Sequence, residues 1–145
     1  MRLFRRNRKQ AEHRPTASAD AVETGDAVET PAAQTASDQE ALRERAAALT
    51  VRLEEQADPE ARIKLLNELG GLQQELGDAT AAIDSYEASM AIREQFGPAY
   101  NGLLTLYNDQ LRQAARARDD AAIQQWTVKL DELTALSKRV MRSQF

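Results

Sequence analysis

The side chains that could carry a reaction are few. His13 is the only histidine, it stands beside Arg14, and there is no cysteine. A lone histidine makes neither a catalytic triad nor a metal site. Without thiols there is no thiolate nucleophile, no disulfide and no Cys-ligated zinc. Ser, Thr and Lys nucleophiles would need a positioned base, and no glycine-rich phosphate loop or His/Asp/Glu metal spacing occurs. The acids that come in pairs, Glu54–Glu55, Asp119–Asp120 and Asp131–Glu132, are sequence neighbours. On a helix neighbours point apart, so these pairs read as surface or capping charges. The residue types therefore predict a protein that is not an enzyme and carries no cofactor and no metal. What remains is binding, and the elements that would position a binding surface come next.

Charge divides the 145 residues into three parts. Residues 1–14 hold Arg2, Arg5, Arg6, Arg8, Lys9 and Arg14 against Glu12 alone. Residues 15–36 carry only acids, Asp20, Glu23, Asp26 and Glu29, within a repeated Asp-Ala-Val-Glu-Thr. Neither part has a periodic apolar face, and ordering a backbone costs about 1–2 kcal/mol per residue. Both are predicted to be a disordered tail, with a basic segment and an acidic, low-complexity linker. Near an anionic leaflet each basic residue is worth about 1 kcal/mol, so Arg2, Arg5, Arg6, Arg8 and Lys9 are candidates for a membrane surface, with Leu3 and Phe4 dipping into it. A solvated tail is the plainer reading. Nucleic acid is disfavoured, because the rest of the chain is acidic and would repel a phosphate backbone. No run approaches the ~20 apolar residues of a membrane span, and no apolar stretch follows the basic start as in a signal peptide. The expected setting is the cytoplasm, with peripheral contact at the inner membrane surface open to the tail.

Residues 37–145 form the predicted folded domain. Ala, Leu, Glu, Gln and Arg dominate it, the residues that lose least on entering a helix. Five helices are expected. The first covers about 38–57, opened by capping-box spacing between Ser37 and Glu40, with Leu42, Ala46, Leu49 and Leu53 on one face. The second covers about 59–76 after Asp58-Pro59, burying Ile63, Leu66, Leu69, Gly70 and Leu76. Gly77-Asp78 closes it and opens the third, about 79–96, which presents Ala82, Ile83, Tyr86 and Met90. Gly70 in mid-helix costs about 1 kcal/mol relative to Ala, which a close helix crossing would justify, with Ala82 facing the gap. Gly97-Pro98 hinges into the fourth, about 98–117, with Tyr100, Leu103, Leu104, Tyr107 and Leu111 inward. The fifth, about 119–142, carries Ile123, Trp126, Leu130, Leu133, Ser137 and Val140 in steps of three and four, a coiled-coil-like seam. Packing of that seam on the fourth helix is the plain reading. Pairing with a second copy of the chain, a homodimer through the fifth helix, is the sharper one. Leu136 and Met141 widen the apolar face there.

The middle of the chain is written twice. Leu66 and Tyr100, like Leu69 and Leu103, stand 34 residues apart. The run Ala99-Tyr100-Asn101-Gly102-Leu103-Leu104-Thr105-Leu106-Tyr107 resembles the first helix of a tetratricopeptide repeat, as does Leu66 with Leu69-Gly70. Gly77-Asp78, then Ala82 and Tyr86, resemble that family's turn and second helix, and Ala122 with Trp126 echo the same ending. The chain departs from the pattern at Gln73, where an aromatic is usual, at Leu104, where a small residue is usual, and in a closing proline displaced to Pro98. The second unit is six residues longer, since 18 residues separate Leu104 from Ala122 where 12 separate Gly70 from Ala82. The resemblance spans residues 59–133, about two repeats. It implies an all-α, short helical-hairpin solenoid of about five antiparallel helices. One pair of helices cannot bury its own faces, so the first and fifth helices are expected to act as caps. A compact bundle of the same helices is the structural alternative.

The resemblance also implies where to look for function. The first helix of each pair lines an inner groove in such solenoids. That places Lys64, Asn67 and Gln74 on the groove from the second helix, and Asn101, Thr105, Asn108 and Arg112 from the fourth. Asn67 and Asn101 are 34 residues apart and would stack. Asparagines at such positions in the family clamp the backbone of an extended peptide, since an amide both donates and accepts. The expected partner is a protein or peptide, held weakly by so short a groove, in about the micromolar range or poorer. A solvated polar face is the plain alternative.

Overall fold

The computed structural model describes residues 31–143, and all regular structure among them is α-helical. Five helices follow one another: α1 (Pro31–Glu55), α2 (Pro59–Glu75), α3 (Ala79–Ile92), α4 (Pro98–Ala117) and α5 (Asp120–Ser143). The expectations for residues 1–30, including the anionic-surface candidates, lie outside the described residues.

Helix α1 starts earlier than its sequence suggests. Residues 31–36, expected as linker, are its first turns, and Ser37 lies inside the helix rather than at its cap. Pro31 suits a first turn, which has no use for its missing N–H, and Ala32, Ala33 and Ala36 are strong helix formers. On α1, Leu49 and Leu53 are buried, and Leu42 and Ala46 partly so. The helix stops at Glu55, two residues short of expectation. There the Arg62 guanidinium, reaching back from α2, donates to the carbonyls of Leu53 at 2.8 Å and Gln56 at 3.0 Å. A cation at this end satisfies carbonyls that the helix leaves open and complements its dipole.

The other boundaries have local chemical causes. Asp58 caps α2 by accepting the Ala61 N–H at 3.0 Å, and Asp78 caps α3 through the Ala81 N–H at 3.1 Å. Gly77, at φ 81°, makes the left-handed exit from α2. Asp78 and Gly77 N–H groups return to the Gln73 and Gln74 carbonyls, a Schellman-type closure. Asp119 caps α5 in the same manner. Helix α3, expected to reach residue 96, ends at Ile92, and Arg93 is extended at φ −153°. The following residues carry the chain across to Gly97 and Pro98, so that α4 can lie against both α3 and α2. Glu60 pairs with Arg93, and the Phe96 ring meets Tyr100 edge-on at 5.1 Å along this crossing.

Packing proceeds by neighbours: α2 on α3, α3 on α4, α4 on α5, with α2 also touching α4. This is the hairpin-stacked, solenoid-like order expected. One apolar cluster joins Leu49 and Leu53 of α1 to Leu65, Leu66, Leu69 and Leu72 of α2. The larger one is formed by α3, α4 and α5, and includes Met90, Leu103, Tyr107, Leu133, Leu136 and Val140. The α5 seam thus packs within its own chain: Leu133 and Val140 are buried, and Trp126 and Leu130 partly so.

Three inward assignments change. Leu104 is 40% exposed, while Leu106, two residues on, is buried. The core face of α4 is set by Leu103, Leu106 and Tyr107, and Leu104 lies about 100° round the helix from Leu103. Leu76 and Leu111, near helix ends, are only partly buried. The gap at Gly70 is filled by Tyr86, not Ala82. A Cβ at Gly70 would sit 2.6 Å from Tyr86 Cε1, and one at Gly102 would come closer still to Cε2 on the ring's other edge. One phenyl ring is therefore wedged between the backbones of α2 and α4.

Candidate functional site

The α2–α4 face receives the groove candidates, but it does not leave all of them free. Gln74 Oε1 accepts the Tyr86 hydroxyl at 2.6 Å, so this amide holds the wedge in place. Asn108 Nδ2 donates to the Leu104 carbonyl at 2.9 Å, one turn back on its own helix. Arg112 pairs with Asp109, three residues before it. These three are occupied inside the chain. Lys64, Asn101 and Thr105 are exposed and have no side-chain partner among the described residues, and exposed Leu104 lies among the α4 pair. Asn67 is half-buried, and its Oδ1 is shut off from solvent without accepting a hydrogen bond. An acceptor left so costs about 1–3 kcal/mol.

A concavity elsewhere on the fold was not marked by any sequence signal. Between α3 and α5 lies a cleft of about 470 Å³, floored by Met90, Leu103, Leu133 and Leu136 and walled at one end by Tyr107. Two ion pairs cross it. Lys129 Nζ lies 2.8 Å from Glu87 Oε2, and Arg139 lies 2.9 Å from Glu94 Oε2. Glu87 Oε2 also accepts the Tyr107 hydroxyl at 2.5 Å. The Tyr107 ring stands 5.8 Å from Trp126 and takes Lys129 Nζ over its face at 5.8 Å to the centroid, a cation–π distance. Glu132, on the same rim, has no ion-pair partner among the described residues. The partners in these pairs are 42 and 45 residues apart, so no local pattern announces them.

Burial pushes the Tyr107 phenol well above its ordinary range, and the negative charges of Glu87 and Glu132 push it in the same direction. The Tyr86 phenol is raised by burial too. Both rings therefore favour folding in their protonated form. Their contribution is fully present below the unfolded-chain value of about 10 and is lost as pH rises through and beyond it. Denaturation midpoints are accordingly expected to fall above pH ~10, and to fall less steeply in Tyr107→Phe. At neutral pH that variant is expected to lose about 1–2 kcal/mol with the bond to Glu87, read by urea titration. An equal alkaline slope in both proteins would contradict the assignment. Glu94 is shifted the other way, held below the usual carboxylate range by its hydrogen bond from Arg139.

No family model, curated protein or solved structure matches this chain. Its chemistry has to be read from its own surfaces. Among the described residues, no cluster of His, Cys, Asp and Glu could hold a metal ion, and no helix is long and apolar enough to cross a membrane.

Proposed function

We propose that this protein is a non-enzymatic, cytoplasmic adaptor that binds a partner protein through its helical surface, in the manner of a short tetratricopeptide-like solenoid. The observation that carries the reading is the α2–α4 face. Two helices in direct contact carry exposed Lys64 on α2 and exposed Asn101, Leu104 and Thr105 on α4, the polar ones without a side-chain partner among the described residues, and Asn67 on α2 lacks a donor. An extended peptide supplies what such a face lacks. Its main-chain N–H groups can bond the asparagine oxygens once Asn67 turns outward, its carbonyls can take the amide protons, and an apolar side chain can cover Leu104. The refined contact set is Lys64, Asn67, Asn101, Leu104 and Thr105, with Gln74 as a support for Tyr86.

The test is affinity purification from the native host with wild-type protein and with Asn67→Ala/Asn101→Ala, the proteins captured by each being compared. Partners specific to the wild type are expected to fall by tenfold or more in the variant, since each lost hydrogen bond is worth about 1 kcal/mol and two are removed. Full retention of every partner by a folded variant overturns the groove reading.

A further inference from the structure

The α3–α5 cleft is independent of the α2–α4 face and has its own chemistry. Helices α3 and α5 do not pack backbone against backbone. They are joined across the cleft by the Glu87–Lys129 and Glu94–Arg139 ion pairs, whose side chains are between a third and a half exposed. Pairs this wet contribute little to stability, so they can open or exchange partners at small cost. Beneath them the floor is wholly apolar: Met90, Leu103, Leu133 and Leu136. The volume, about 470 Å³, lies in the range of sites that enclose a drug-sized ligand or a few side chains.

Charge decides what would enter. The rim bears three carboxylates, Glu87, Glu94 and Glu132, and two cations, Lys129 and Arg139. Each cation already pairs with a carboxylate, and Glu132 makes no ion pair among the described residues. Tyr107 adds none, because its phenol stays protonated. The cleft is thus an apolar slot whose lining carries one more negative than positive charge, and exposed Ala135 is a small residue in that lining. An acidic segment or a nucleic-acid phosphate would meet net repulsion there.

We infer that the α3–α5 cleft is a docking site for a cationic amphipathic segment of a partner protein, which inserts apolar side chains between the two helices and sets a lysine or arginine against Glu132.

Three synthetic peptides test the proposal on the full chain. The first has a leucine stripe at helical spacing flanked by lysines, the second has glutamates for the lysines, and the third has serines for the leucines. Binding is followed by amide chemical shifts and by the emission of Trp126, the chain's only tryptophan, whose ring lies tilted against Tyr107. The lysine–leucine peptide is expected to bind in about the micromolar range, with shifts centred on Met90, Leu103 and Leu136, and the other two about tenfold or more weaker. Glu132→Lys is expected to weaken the first peptide about tenfold and to favour the glutamate one, because a rim charge is reversed. Ala135→Trp should abolish binding by filling the entrance. Both sites are exposed, and melting curves check that the variants fold. Asn67→Ala/Asn101→Ala should change nothing, which separates this site from the α2–α4 face. Equal binding of the lysine and glutamate peptides, shifts centred elsewhere, or no shift at millimolar peptide overturns the inference.

Discussion

Gly102→Ala is expected to destabilise the protein by about 1–3 kcal/mol, although the same change in mid-helix ordinarily stabilises by about 0.5–1 kcal/mol. The reversal comes from Tyr86. Its ring is buried between α2 and α4, and Gly70 and Gly102 are where the two backbones make room for it. A methyl at either glycine collides with a ring that cannot slide away, because the other helix holds its far edge and Gln74 holds its hydroxyl. Tyr86→Ala alone should cost about 3–5 kcal/mol, the range for losing a buried aromatic. In that background Gly102→Ala loses its collision and should become neutral or stabilising. A double-mutant cycle by urea denaturation therefore has a predicted change of sign. Equal cost of Gly102→Ala in both backgrounds would mean that the wedge does not set the α2–α4 spacing. The wedge also sets the spacing of Asn67 and Asn101, which ride on the two helices it separates.

A chain ending before Asp120 is expected to lose its cooperative unfolding transition altogether. Helix α5 contributes Leu133, Leu136 and Val140 to the larger core cluster. Burying a side chain of this kind is worth about 1.5–3 kcal/mol, so three amount to about 5–9 kcal/mol, comparable to the whole stability of a small domain. The truncation would also uncover the faces of Met90, Leu103 and Tyr107 that α5 covers. Far-UV circular dichroism should show residual helix without a sharp melt, and the shortened chain should bind a hydrophobic dye. A sharp melt close to that of the full chain would refute the role of α5 as the cap of the fold. Such a result would return its seam to the alternative use, pairing with a second copy.

Legibility in the sequence tracked the range of the interactions. Asp58-Pro59, Gly77-Asp78, Gly97-Pro98 and Asp119 act within a turn of themselves, and the helix boundaries they mark appear where expected. Ser37 has capping-box spacing with Glu40, but the alanines before it already carry the helix, and a helix that has a start needs no second cap. Nothing local in residues 93–96 forbids a helix, yet α3 ends at Ile92, where the chain crosses over and α4 comes to lie beside two helices. The double leucine at 103 and 104 fits either of two adjacent faces, and only packing selects one.

The candidate site was legible as positions and not as states. The resemblance to a tetratricopeptide repeat singles out Lys64, Asn67, Gln74, Asn101, Thr105, Asn108 and Arg112 on α2 and α4. Whether each was free or already bonded depended on what the folded chain set beside it: Tyr86 for Gln74, the Leu104 carbonyl for Asn108, Asp109 for Arg112. The α3–α5 cleft was invisible for a stronger reason. Its ion pairs join residues more than forty positions apart, and a void has no sequence of its own.

By itself, then, the sequence determined helix number, most helix ends and the apolar stripes, because capping, propensity and periodicity operate over a few neighbouring residues. Tertiary structure alone decided that Tyr86 fills the space of two glycines, that Leu133 and Val140 of the α5 seam are buried within their own chain, and that Glu132 makes no ion pair among the described residues beside an apolar cleft. Those outcomes depend on which surfaces meet, and surfaces meet only when the chain is folded.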